Sequence, residues 1–298
     1  MSKDDGFQLK NYAKRRFKRI YPVYLFALLV SCVVCLASGT SISAVDFIIH
    51  AVLLQGFSAE YFNTINLVLW TISVEVLFYV IYPLWQKLRL SWGLQRAFAV
   101  GLTASALSAL VTALFFHPYK FPGKWFFMTT WAGWLAGAVL AETIENKKYF
   151  FSTVRWHLLG VMFLGIYVFM EMNMPAGNKW LILRIPVLTF LMVWPLAFLV
   201  LHETQLAIFM SKYRRFAAIS SAIGMSSYSL YLLHEPLIQT RNLLLAQFDA
   251  GVFKLPLQLA WFFVVLWLCW LSFRFVELKF MSTKTVLNRA ALPDAVNP

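Results

Sequence analysis

Lys14-Arg15-Arg16-Phe17-Lys18-Arg19-Ile20-Tyr21-Pro22 brings five cations to the edge of a run, 20–38, that holds no charged residue. Those nineteen residues make enough helix to cross a hydrocarbon core of roughly 30 Å at about 1.5 Å per residue. A basic cluster abutting such a run marks the cytoplasmic end of a transmembrane helix. The same cluster suits a polyanion such as a phosphate, because Arg16 and Arg19 stand three apart and share a helix face. Topology anchor and anion site both remain open on these residues alone.

The rest of the 298 residues extends this reading: 60% are apolar, 17% aromatic and 13% charged, against about 25% charged in soluble domains. With a mean hydropathy of +0.68, the composition predicts an all-α, polytopic helical membrane bundle. Eight long apolar segments stand out, at 20–38, 65–86, 94–116, 125–141, 156–174, 181–202, 219–240 and 255–273. A ninth run, 44–57, is too short to cross and carries Asp46 and His50, which predicts an interfacial or re-entrant helix. Polar connections are too short to bury a core of their own, so no second domain is expected. The expected organisation is a basic cytoplasmic arm (1–19), a transmembrane domain (20–281) and a cytoplasmic tail (282–298).

A net charge of +13 would suggest nucleic acid on a soluble surface. Its placement says otherwise. With both termini in the cytoplasm, only six of the 26 Lys and Arg residues fall outside: Lys120, Lys124, Lys179, Arg184, Arg241 and Lys254. That is the positive-inside asymmetry, and it accounts for the basic excess without nucleic acid. Cys32 and Cys35 form a CxxC inside an apolar span with no second ligand pair, so they read as small buried side chains. His50, His117, His157 and His202 lie near span ends without metal-ligand spacing, and no metal is expected.

Three polar constellations interrupt the apolar pattern. Glu75 stands mid-span in Trp70-Thr71-Ile72-Ser73-Val74-Glu75-Val76-Leu77-Phe78-Tyr79. A carboxylate at that depth costs about 2.5–3.5 kcal/mol on insertion scales and must face protein or a wet cavity. Helical spacing lines it up with Thr71, Tyr79 and Tyr82, as an acid/base group or as an interhelical hydrogen-bonding one. In Ser227-Tyr228-Ser229-Leu230-Tyr231-Leu232-Leu233-His234-Glu235-Pro236, residues Ser227, Tyr231 and His234 share one helix face. Pro236 leaves the Leu232 carbonyl without its helical donor. Arg274 and Glu277 end the last span and are spaced to pair locally.

Together these stretches resemble the acyltransferase type 3 family of bacterial membrane O-acyltransferases. The likeness rests on Arg16-Phe17-Lys18-Arg19-Ile20-Tyr21-Pro22, on Trp70 to Tyr79, on Ser227 to Pro236 and on Arg274 to Glu277, four matches in order. The resemblance implies transfer of an acyl group, commonly acetyl from acetyl-CoA, to a hydroxyl of an envelope polysaccharide or lipid-linked glycan. It implies a multi-pass protein of the bacterial inner membrane, surrounded by lipid. Arg16 and Arg19 are the expected acyl-CoA phosphate ligands, and Glu75, Tyr231 and His234 the candidate catalytic residues. Family members usually have about ten spans and use a His on the first. The chain begins just before what corresponds to their third, so the resemblance implies a form lacking two spans and that His. A non-catalytic remnant binding a glycan or a partner, and a proton-coupled transporter, are the alternatives. The absence of repeat halves weakens the latter.

Overall fold

A computed structural model describes residues 8–58, 60–115, 127–146, 153–173, scattered positions from 184 to 199, 202–245 and 253–281. The described residues are helical, with no strand among them. Ten α-helices are described: α1 Leu9–Ala37, α2 Ala44–Ala51, α3 Trp70–Trp92, α4 Leu94–Phe115, α5 Phe127–Asn146, α6 Thr153–Asn173, α7 Glu203–Lys212, α8 Arg214–Met225, α9 Ser227–Leu245 and α10 Lys254–Phe275. Two 3-10 turns, Gln55–Phe57 and Glu277–Phe280, complete them.

Three of these helices are long and apolar enough to cross a membrane: Leu9–Ala37, Leu94–Phe115 and Leu255–Phe280. The pair α8 and α9 makes a fourth if it forms one span. The sequence expectation of eight is larger for a physical reason. Helices α3 and α5 coincide with two more of the apolar segments, but polar and ionisable residues such as Glu75, Lys87, Arg89 and Glu142 dilute them, while the apolar stretch described in α6, His157–Asn173, is shorter than a span. Most of 181–202 lies outside the described residues.

Three boundaries differ from expectation. Helix α1 starts at Leu9, so the cations of the basic arm ride on the same helix as the apolar run. Helix α3 starts at Trp70 rather than 65, because the residues before it are turns. The single span expected over 219–240 is broken at Ser226, where α8 and α9 meet at a 70° bend.

The chain forms two compact units. The first comprises residues 1–56, 60–73 and 208–298. In it α9 runs alongside α1: the Tyr228 hydroxyl donates to the Ile20 carbonyl at 3.2 Å. Deeper along both helices, Asn66 Nδ2 donates to Ser31 Oγ (2.8 Å) and to the Leu232 carbonyl (3.2 Å). The carbonyl that Pro236 deprives of its helical donor is thus capped by a side chain from another segment. Helix α10 packs back along α9, with Trp261 Nε1 donating to the Leu237 carbonyl at 3.0 Å. Val23, Tyr24, Leu28, Ile65, Leu69 and Leu232 form the fully buried core.

Helix α2 doubles back along α1. Tyr21 and Tyr24, near the start of the apolar run, donate their hydroxyls to the carbonyls of Ala51 (3.0 Å) and His50 (2.8 Å). The segment 44–57 therefore returns to the basic end of α1. Leu53 turns the chain afterwards at φ 63°, a left-handed conformation costing an L residue about 1–2 kcal/mol. Gly56 approaches α3 so closely that a Cβ there would lie 2.7 Å from Ser73 Cβ.

The second unit comprises 57–59 and 74–207. Its core is α4 against α5, where Ala97, Gly101, Ser105, Ala109 and Ala113 put small side chains on one buried face. A Cβ at Gly101 would lie 2.4 Å from Leu135 Cδ1, so the helices approach to backbone–side-chain contact. The Arg89 guanidinium pairs with the Glu142 carboxylate, tying α3 to α5.

Candidate active site

Arg16 and Arg19 lie on α1 at the level where α9 begins, as Tyr228 on the Ile20 carbonyl shows. Arg16 is half-buried, with its guanidinium carbon 5.5 Å from the centroid of the Tyr12 ring, a cation–π arrangement. Arg19 is exposed. The two are together on one helix, as their spacing predicted.

Tyr231 and His234 project from α9 with ring centroids 6.0 Å apart. The Thr71 hydroxyl donates to the Val68 carbonyl at 2.7 Å, which leaves its lone pairs to accept the Tyr231 hydroxyl at 2.8 Å. His234 Nδ1 lies 2.8 Å from the Tyr231 carbonyl and 3.2 Å from that of Leu230. Carbonyls only accept, so Nδ1 carries a proton and donates to them. Ser227, predicted on the same face, begins α9. Glu235, next in sequence, takes the Gln239 amide on one oxygen, while its buried Oε2 has no hydrogen-bond partner among the described residues.

Glu75 belongs to the other unit. It is half-buried and accepts the Tyr79 hydroxyl at 2.6 Å, one turn along α3. Tyr82 packs instead among rings, 5.9 Å from Trp134. At the end of α10, Glu277 is buried and accepts from Ser229 Oγ at 2.8 Å, while Arg274 is exposed. The carboxylate expected beside Arg274 is thus engaged by α9.

The sequence reading passed over a further cluster. Asp46 and His50 sit four apart on α2, capped by Ser43 Oγ, which accepts the Asp46 N–H at 3.0 Å. His50 Nδ1 is 2.9 Å from the Asp46 carbonyl and 3.2 Å from its Oδ1. Thr64 donates to the same Oδ1 at 2.7 Å. His50 is 0% exposed, and its Nε2 has no hydrogen-bond partner among the described residues. Burial pushes this imidazole below its usual pKa; the Asp46 carbonyl and carboxylate oppose the shift without reversing it. Beside it, Gln55 Nε2 donates to the Tyr24 hydroxyl and to the Leu69 carbonyl, both at 2.9 Å, and its buried Oε1 has no hydrogen-bond partner among the described residues. The signal available in the sequence was an acid and a histidine one helical turn apart on a run too short to span.

No solved structure matches the chain. It is 24% identical over 311 aligned positions to the peptidoglycan O-acetyltransferase OatA of Listeria monocytogenes serovar 1/2a, an alignment covering 92% of this chain and 47% of that protein. The chain thus spans about half the length of this curated relative. The family model for an acyltransferase domain matches residues 4–274, which take in α1 with its cations, the Glu75 stretch, the Tyr231–His234 face and Arg274. The chain belongs to that acyltransferase family.

Proposed function

We propose that this chain is a multi-pass membrane O-acyltransferase moving an acyl group, acetyl from acetyl-CoA, onto a hydroxyl of an envelope polysaccharide or lipid-linked glycan. The observation that carries the reading is the family match over residues 4–274. The name of the Listeria relative supports a cell-wall glycan as acceptor. In this reading the protein crosses the bacterial inner membrane eight times with both termini in the cytoplasm. Arg16 and Arg19 bind the phosphates of the acyl-CoA, whose negative charge suits a paired guanidinium site. A hydroxyl is a poor nucleophile at neutral pH, so attack on the thioester needs a base and a donor for the oxyanion. Tyr231 supplies a hydroxyl, and His234 Nε2 a lone pair, to orient the acceptor; Glu75 acts as an acid/base or orienting carboxylate.

Membranes containing the full chain, incubated with acetyl-labelled acetyl-CoA, should transfer label to glycan in an alkali-labile ester. Label confined to free acetate, with none in the glycan, would reject the O-acyltransferase reading.

A further inference from the structure

We infer that α8 is a membrane-surface helix that binds anionic phospholipid. It lies in the headgroup layer at the basic end of α1, with Phe216, Ile219 and Ile223 among the acyl chains and Lys212, Arg214 and Arg215 on the lipid phosphates. The inference stands apart from the acyltransferase reading and does not depend on it.

Direction, height and the arrangement of side chains all point this way, within one compact unit. Helix α9, Ser227–Leu245, has 19 residues. At about 1.5 Å per residue it can cross a hydrocarbon core of roughly 30 Å on its own. Helix α8 meets α9 at a 70° bend. With α9 tilted by the roughly 20° usual for a span, α8 runs close to the membrane plane rather than across it. The height of the joint follows from Tyr228, whose hydroxyl donates to the Ile20 carbonyl at 3.2 Å. Ile20 is the first residue past the cations of α1, so α8 begins its course where a basic helix end meets the apolar run. That is the level of lipid phosphates.

Around α8 the side chains sort into three sides. Phe216, Ile219 and Ile223, three and four apart, are 57, 62 and 42% exposed, so the apolar face turns away from the protein. Arg214, Ala218 and Ser221 take the opposite side and are exposed as well, while Ala217 and Ser220 form a half-buried flank. Phe209 and Tyr213 extend the apolar face: the Phe209 ring lies 4.8 Å from that of Tyr213 and 6.5 Å from that of Phe216, centroid to centroid. Lys212 Nζ stands 5.7 Å from the centroid of the Tyr213 ring. Exposed aromatic rings bordered by cations suit the boundary between headgroups and acyl chains, where each side chain keeps its preferred solvent.

Charge selects the lipid. From 204 to 234 the chain carries Lys212, Arg214 and Arg215 and no Asp or Glu. None of the three cations has an ion-pair partner among the described residues. An anionic leaflet attracts each cation held near its surface, and the guanidinium fork matches phosphate oxygens. A protein partner would have to bring an acidic surface to a height that lipid phosphates already occupy.

The test places a bimane fluorophore on Ile219→Cys or on Ser221→Cys, which stands about 200° round the helix. The full chain is reconstituted in vesicles of phosphatidylcholine and phosphatidylglycerol at equal mole fraction. One lipid at a time is brominated near the top of its acyl chains, so that it quenches the probe on contact. Wild type treated alike supplies the background from Cys32, Cys35 and Cys269. Bimane at 219 should be quenched and bimane at 221 spared. Brominated phosphatidylglycerol should quench at 219 at least about twofold more than brominated phosphatidylcholine, because three cations favour it. That preference should disappear in a variant carrying Lys212→Gln, Arg214→Gln and Arg215→Gln, and shrink in 1 M salt, where the screening length falls to about 3 Å. Phe216→Cys repeats the measurement on the same face if Ile219→Cys fails to accumulate. Equal quenching at 219 and 221 overturns the surface placement. Quenching at neither position overturns it too, because a second copy or another protein then covers the face. Equal quenching by the two lipids in wild type, or a preference that survives in the triple variant, overturns the recognition of anionic lipid by these three cations.

Discussion

Arg16 and Arg19 differ in what they rest on, and the difference sets the expected behaviour of their variants. Arg16 lies over the Tyr12 ring and is held; Arg19 is free in solvent to swing onto a ligand. Replacing either by Ala should raise the KM for acyl-CoA roughly ten- to a hundredfold, with a smaller effect on the acceptor. Lys at both sites keeps charge but not the bidentate fork, so unaltered kinetics for the double Lys variant would reduce both residues to topology anchors. Glu75 poses a different question, because Tyr79 already satisfies one of its oxygens. Gln at this position preserves an acceptor for Tyr79 while removing the ionisable group. The expected outcome is a loss of turnover of about 10²-fold in a protein that inserts and expresses normally. Turnover at the wild-type level would make Glu75 a packing residue. Spacing put Glu75 and Tyr79 on one face correctly, since i and i+4 neighbours follow from helix geometry alone. It could not reveal Glu277 on Ser229, because that partner is 48 residues away in the chain.

Among the elements, α1, α9 and the 60–69 segment meet at Asn66, a side chain 1% exposed. Asn66→Leu deletes the donor to Ser31 and to Leu232 at once, and leaves buried acceptors unmatched. The loss should be about 1–3 kcal/mol of stability, read as a lower melting temperature in detergent. A smaller effect in a Pro236→Ala background would tie the loss to the carbonyl that the proline frees, since Ala restores the helical donor. In the other unit, Gly101→Val drives side-chain volume into Leu135, itself fully buried. Overpacking of this kind costs typically about 1–3 kcal/mol, and Leu135→Ala should recover part of it. Additive effects in the double variant would mean that the two helices do not pack at this point. The 70° break at Ser226 is an element-scale fact that apolarity concealed. Hydropathy counts residues along the chain and is blind to a change of axis.

For the molecule as a whole, the charge asymmetry predicts where each loop lies. Reporter fusions at Asn297 and between Pro118 and Lys124 should mark opposite compartments, the former cytoplasmic. Matching reports from both would defeat the eight-span topology. By itself the sequence determined the helical membrane character, the basic end of the first span and the family motifs. These are properties of composition and of spacing along one helix, where neighbours three or four residues apart must share a face. It also marked 44–57 as an apolar run too short to cross. Only the tertiary structure decided that this run doubles back onto Tyr21 and Tyr24. The same is true of the Tyr24 hydroxyl, which accepts from Gln55 and donates to the His50 carbonyl, and of Asn66 capping the carbonyl freed by Pro236. Such contacts join residues tens to hundreds of positions apart. They form because a buried donor or acceptor must find a partner wherever packing brings one, and the linear order of the chain does not encode that meeting locally.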